Sequence, residues 1–343
     1  MSAQLAIYSR GGNQHHRRQS PLYRATAHRP QLLFDRGGKR KPTRHSRILP
    51  TTERPSHSSP LKMGSCLGSQ SKEQTQPESD RTTGGKSMEI KGSVVIITGA
   101  ARGLGRAFAE ALLDHGAKIC VADIDSEQGQ ATVTELQAKH GEDNVIFVSC
   151  NVTSDDDFKT VWDATVEKLG PVNVLINNAG IGNEQEWDKT VAINLGGCMR
   201  GTLLALERMG TNKGGSGGVV VNISSIVGLK ANPFGPVYSA SKHAIVGLVR
   251  SLGHDFHLKI SGVKVQALCP SLVKTELLVN SMKKAFSPEV VQALSKFASG
   301  LKDLTAETVA NGLVKLLEEG RNGGCLVVEA EKDPYYVEAP VPS

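Results

Sequence analysis

From residue 93 onward the chain repeats one unit: a short run of β-branched and aliphatic residues, then a stretch with helical spacing. Few folds accommodate that alternation. The runs are SVVIIT (93–98), KICVAD (118–123), NVIFVS (144–149), VNVLIN (172–177), GVVVNIS (218–224), VKVQALC (263–269) and GCLVV (324–328). Helical spacing marks 104–115, 126–140, 154–169, the stretch bearing Tyr238 and Lys242, and 305–319. Strands that are apolar throughout are covered on both faces, and strands alternating with helices pair in parallel. The expectation is one doubly wound α/β domain over 88–343, with a mainly parallel sheet of about seven strands.

Charge separates this region from what precedes it. Residues 1–62 hold 13 Lys and Arg against Asp35 and Glu53, whereas the chain from Met88 carries 24 basic and 29 acidic residues. The globular part is thus mildly acidic, which argues against a nucleic-acid-binding core. No run approaches the roughly 18 apolar residues of a membrane span. Residues 1–87 are rich in Arg, Ser, Thr, Pro, Gln and His without apolar periodicity, so a disordered extension is expected. Four readings of it stand: an Arg-rich transit peptide, a basic patch in GGKRKPTRHSR, an acylation site in MGSCLGSQ at Met63, or an upstream extension of a frame starting at Met88. Cys66, Cys120, Cys150, Cys198, Cys269 and Cys325 show no metal-type spacing. Several sit in strand-like runs as small hydrophobes, and a reducing compartment, the cytoplasm, follows unless the N-terminus directs the chain to an organelle.

Directly after the first run comes Thr98-Gly99-Ala100-Ala101-Arg102-Gly103-Leu104-Gly105, opening a helix. Glycines there let the backbone approach a pyrophosphate bound at the positive helix N-terminus, which makes the domain Rossmann-type. An acid about 20 residues beyond such a turn binds the ribose hydroxyls of the adenosine. Asp123 fills that position and would repel a 2′-phosphate, favouring NAD over NADP. The competing role for Asp123 is a cap for the helix beginning near Ser126. Arg102 points the other way, since a basic side chain at that position could meet a 2′-phosphate.

Tyr238 and Lys242 lie four residues apart and so share one helix face. A phenol titrates near 10, and a neighbouring ammonium lowers that value and makes proton exchange with an alcohol feasible.

The Gly-x-x-x-Gly-x-Gly turn, Asn177-Asn178-Ala179-Gly180 after the fourth run, and Tyr238-x-x-x-Lys242 resemble, in that order, the short-chain dehydrogenase/reductase family. The resemblance covers essentially 88–343. It implies a catalytic serine 13 residues before the tyrosine, at Ser225 in preference to Ser224, and an asparagine, Asn194, that holds a water beside the lysine. The implied catalytic set is Asn194, Ser225, Tyr238 and Lys242. Implied nucleotide contacts are Gly99, Arg102, Gly103, Leu104 and Gly105; Asp123 and Ile124; Cys150, Asn151 and Val152; Asn178, Ala179 and Gly180; Tyr238 and Lys242; and Val273, Lys274 and Thr275. The segments TGAARGLGRAFAEALLDHGAKI, NNAGIGNEQEWDKTVAIN and PVYSASKHAIVGLVRS are similar to a branch that oxidises prostaglandins and hydroxy fatty acids with NAD. The implied reaction is hydride transfer between nicotinamide and a secondary alcohol or ketone, with an amphipathic lipid as substrate and a homodimer as the assembly.

Three positions depart from the pattern. Asn151 stands where an acid beside the adenine is usual. Pro270-Ser271 replaces Pro-Gly, so that turn must avoid positive φ. Gly235 stands where the lipid-oxidising branch has a glutamine that, with Ser225 and Tyr238, holds the substrate hydroxyl; its loss relaxes discrimination among alcohols. Two other functions remain open. A broad-specificity NADPH carbonyl reductase is supported by Arg102 and Gly235 and opposed by Asp123, and an idle dinucleotide sensor is opposed by the intact tyrosine and lysine. The segment 271–300 suits either an amphipathic acid or a surface lid.

Overall fold

The computed structural model describes residues 87–338. The disorder, transit peptide, basic patch and acylation site expected before them lie outside the described residues, as does Cys66.

In chain order the elements are β1 (Val94–Thr98), α1 (Gly103–Asp114), β2 (Lys118–Asp123), α2 (Ser126–His140), β3 (Val145–Ser149), α3 (Asp155–Leu169), β4 (Val174–Asn177) and α4 (Trp187–Val191). A π-helical turn (Ala192–Gly197) leads into α5 (Cys198–Met209), β5 (Gly218–Ile223), a 3-10 turn (Ile226–Gly228), α6 (Pro236–Leu252), α7 (Asp255–Ser261) and β6 (Val263–Pro270). The chain continues with α8 (Glu276–Lys283), α9 (Pro288–Ser299), α10 (Ala306–Glu319), β7 (Cys325–Val328) and β8 (Tyr335–Tyr336).

The strands form one sheet in the order β3-β2-β1-β4-β5-β6-β7-β8. Every pairing is parallel except that of β7 with β8. The expected seven strands are present, and β8 is the eighth. Its two residues are too short to carry a sequence period; they are placed by pairing on Leu326 and Val327. The helices α4, α5 and α7 were not foreseen.

Alternation along β1 shows why both faces are covered. Val95 and Ile97 pack with Phe108, Leu112, Leu313 and Leu316 on one side. Val94 and Ile96 pack with Phe158, Trp162, Ile245 and Val249 on the other. Burying each such side chain contributes about 1.5–3 kcal/mol, so the two layers fix which way every strand faces. Cys120, Cys150, Cys198, Cys269 and Cys325 are buried free thiols. No helix among the described residues is long and apolar enough to cross a membrane.

Strand order reverses between β1 and β4, since β2 lies on one side of β1 and β4 on the other. A crevice opens there at the carboxyl ends of the strands. Thr98, Asn177, Ile223 and Pro270 end their strands along this edge.

Candidate active site

The glycine-rich turn is built for close approach. A Cβ on Gly105 would stand 2.3 Å from the Gly99 carbonyl oxygen and 2.6 Å from Asn178 Nδ2, so only glycine lets α1 sit against the end of β1. Gly103 adopts φ +58°, and a Cβ there would meet nothing within 4 Å. The first turn of α1 has no acid and its N-cap Arg102 makes no side-chain cap, a state it shares with α5, which continues from the π-helical turn, and with α6. By contrast Ser154 caps α3 and Asp125 caps α2. An uncapped helix N-terminus with open space over a glycine fits a phosphate.

Asp123 closes the turn from the β2 side. Its Oδ2 accepts the Ala101 N–H at 2.9 Å and its Oδ1 accepts the Asp125 N–H at 3.0 Å. Asp125, not Asp123, accepts from Gln128 N at 3.1 Å and caps α2, so the capping role proposed for Asp123 falls to its neighbour. Ile124 is 69 % exposed beside it, an apolar surface suited to one face of an adenine. Arg102 is bound by Asp125 and, at 3.1 Å, by Glu276 of α8. The hydrogen bond to Glu276 holds its pKa above the ordinary arginine value. A guanidinium shared between two carboxylates is less available to a 2′-phosphate, although both pairs are exposed and weak.

The loop after β3 commits its side chains within the protein. Cys150 and Val152 turn their side chains into the core. Asn151 Oδ1 accepts from Thr153 N at 3.0 Å and Thr153 Oγ1 at 2.8 Å. Asn178 is likewise committed, donating from Nδ2 to the Thr98 and Gly99 carbonyls at 2.9 Å each. Ala179 N donates to Thr98 Oγ1 at 3.1 Å. These two residues tie β4 to the glycine turn. Ser271 N donates to Val328 O at 2.9 Å, and Glu331 is the sole non-glycine residue with positive φ among those described, so the Pro270-Ser271 turn avoids that region as expected. Val273 bridges Leu304, Lys274 pairs with Asp303, and Thr275 begins α8.

Tyr238 and Lys242 lie on α6, with the ammonium 5.4 Å from the phenol ring centroid. Lys242 is buried and donates from Nζ to Ile223 O at 2.7 Å. Burial lowers its pKa from 10.5 to about 8. The phenol is not lowered as its spacing from Lys242 suggested: burial pushes Tyr238 up to about 12. Desolvation is the largest cause of both shifts.

The adjacent serines divide their work. Ser224 is buried and donates to the Lys242 carbonyl at 3.0 Å, fastening α6 to β5. Ser225, half-buried, accepts from Val227 N and donates to Pro270 O, both at 3.3 Å. Those longer contacts leave the Ser225 hydroxyl available to a ligand. Asn194, in the π-helical turn, is buried with both amide hydrogens donated. Its Oδ1 accepts Ile181 N at 2.8 Å, and its Nδ2 donates to Ile181 O at 2.9 Å and Ser241 Oγ at 3.2 Å.

One residue escaped the sequence reading. Glu184 is buried at 5 % exposure, and its two carboxyl oxygens accept the N–H groups of Val237 and Tyr238 at 2.9 Å each. Neither acid in NNAGIGNEQEW signals that Glu184 caps a helix more than 50 residues on. Gly235, buried at the N-cap of α6, would place a Cβ 3.2 Å from Glu184 Oε1 and 3.7 Å from Tyr238 Cβ.

The sheet order, glycine turn and Tyr–Lys helix define a class, and the family comparison agrees. The short chain dehydrogenase model matches residues 93–285, and the chain belongs to that family. It is 36 % identical over 253 residues to 15-hydroxyprostaglandin dehydrogenase [NAD(+)] of Rattus norvegicus, covering 73 % of this chain and 95 % of that one. A Burkholderia phymatum short chain dehydrogenase/reductase solved in complex with NAD superposes with a TM-score of 0.61 at 29 % identity, covering 70 % of this chain and 90 % of the other. Levodione reductase also gives 0.61 and 29 %, over 70 % and 96 %.

Proposed function

We propose that residues 88–343 form an NAD-dependent secondary-alcohol dehydrogenase acting on a prostaglandin or hydroxy fatty acid. The observation that carries the reaction is the placement of Ser225, Tyr238 and Lys242 at the carboxyl edge of the sheet, with Lys242 fixed to the end of β5. Asp123 on the turn and an Arg102 neutralised by two acids support NAD over NADP and remove the main support for a carbonyl reductase using NADPH. The similarity to the rat enzyme supports the lipid substrate.

NAD, when bound, supplies the hydride acceptor and a positive charge that favours the phenolate. Asp123 and Ile124 hold the adenosine end, and the α1 N-terminus holds the pyrophosphate. Ser225 hydrogen-bonds the alcohol oxygen, and Tyr238 takes its proton. A lysine with a pKa near 8 exchanges protons readily at neutral pH, so Lys242 relays the proton onward. Exposed Met199 and Leu203 on α5 support a homodimer through α5 and α6, and the five buried free thiols support a cytoplasmic location.

The test is NAD reduction across prostaglandins, hydroxy fatty acids, steroids and simple secondary alcohols. Wild type reduces NAD with the hydroxylated lipids, while Tyr238→Phe is inactive yet binds NAD within a few-fold of wild type. Activity in Tyr238→Phe would sink the scheme.

A further inference from the structure

We infer that the α8–α9 segment acts as a lid over the site and that Glu184 is a positioning residue which couples it to the tyrosine, an inference that rests on the catalytic reading above. Three contacts make the segment 181–186 a strut rather than a loop. At one end Asn194 grips both the N–H and the carbonyl of Ile181. In the middle a Cβ on Gly182 would fall 1.9 Å from Ser281 Oγ, so the strut lies hard against α8. Beyond it, Glu184 N donates to Lys284 O at 3.1 Å and Gln185 Nε2 donates to Ala285 O at 3.0 Å, so the lid is held at the turn between α8 and α9.

The same Glu184 whose main chain holds the lid uses its side chain to hold Tyr238. Its two oxygens accept the N–H groups of Val237 and Tyr238, the first two that α6 offers after Pro236, which the helix itself leaves without partners. Two charge-assisted bonds to adjacent amides fix the first turn of α6 in both rotation and height. Displacing the lid therefore displaces Glu184, and with it the backbone that carries the phenol. The strut itself is braced: Asn183 Oδ1 accepts from Gln185 N and Glu186 N, and Thr190 Oγ1 donates to Asn183 O at 2.6 Å. It moves as a body, so it transmits a shift rather than absorbing one.

The test compares Glu184→Gln and Glu184→Asp with wild type. Glutamine offers one acceptor for two N–H donors, whereas aspartate keeps both oxygens. The expected result for Glu184→Gln is a roughly ten- to hundredfold fall in kcat, the cost of a small misplacement, with NAD affinity within twofold and Tm little changed. Glu184→Asp recovers part of kcat. Amide hydrogen exchange in Glu184→Gln quickens both at 237–238 and at 281–286. Unchanged kcat, or exchange that quickens at 237–238 alone, overturns the coupling; so does a loss of activity matched by equal losses of NAD affinity and Tm. If neither variant folds, exchange in wild type decides: protection at 237–238 and at 281–286 that rises together on adding a substrate analogue supports the strut, and independent change refutes it. Should wild type oxidise no alcohol, the catalytic reading fails while the exchange result still judges the strut.

Discussion

Lys242 donates from Nζ to the carbonyl of Ile223 at 2.7 Å, which fixes a buried ammonium at the end of β5. Its pKa falls from 10.5 to about 8 on folding. A base depressed by folding binds its proton less well in the native state, so its contribution is most favourable above pH 10.5. That contribution is lost as pH falls toward 8, and below 8 the loss is complete. Lys242→Met is expected to abolish turnover while stabilising the fold by about 1–2 kcal/mol at pH 7. Calorimetry at pH 7 and pH 10 checks this, since the gain shrinks at the higher pH. An equal gain at both contradicts the depressed pKa.

The two serines separate stability from catalysis. Ser224→Ala removes a buried bond to the Lys242 carbonyl and is expected to cost about 1–2 kcal/mol, lowering Tm while leaving kcat within a few-fold. Ser225→Ala is expected to leave Tm nearly unchanged and to lower kcat by roughly a hundredfold or more. Paired thermal melts and steady-state kinetics read the contrast, and the reverse pattern would assign the catalytic hydroxyl to Ser224.

Asp123 and Arg102 set cofactor choice together. Asp123→Ser removes the acceptor of the Ala101 N–H and is expected to weaken NAD binding about tenfold, the worth of one charged hydrogen bond. Arg102 stays held by Asp125 and Glu276, so this variant alone gains little NADP affinity. Adding both Asp125→Asn and Glu276→Gln frees the guanidinium, and NADP affinity then rises. Fluorescence titration with both dinucleotides measures each step.

Gly105→Ala puts a methyl 2.3 Å from the Gly99 oxygen, where the obstacle is backbone and cannot rotate away. The end of α1 must lift from β1, at a cost of about 1–3 kcal/mol. Because the displaced element is the one that meets the pyrophosphate, NAD affinity is expected to fall further than Tm would suggest. Isothermal titration beside thermal melts tests it, and unchanged affinity would place the pyrophosphate elsewhere.

Much of this molecule is legible in its amino-acid order. KICVAD and 126–140 coincide with β2 and α2, because a buried strand and a capped amphipathic helix are each specified by residues close in sequence. The glycine turn, Asp123, Ser225, Tyr238 and Lys242 are likewise readable, since fixed spacings carry their meaning. What was misread depended on distant neighbours. Spacing alone places Lys242 beside Tyr238, yet desolvation by the surrounding fold pushes the phenol up rather than down. Nothing near Arg102 in sequence announces Glu276, 174 residues away, and the side chain of Asn178 serves the glycine turn because β4 lies beside β1.

Local periodicity thus determined the α/β alternation and the parallel sheet, because those properties follow from short-range sterics and apolar patterning; the candidate reacting side chains came from motif spacing and family resemblance. Only the tertiary structure decided which serine is free, which cation is neutralised, which way the buried pKa values move and which acid holds the tyrosine. Those outcomes depend on desolvation and on hydrogen-bond partners supplied by other elements, and Glu184, joined to Tyr238 across 54 residues, is the clearest case.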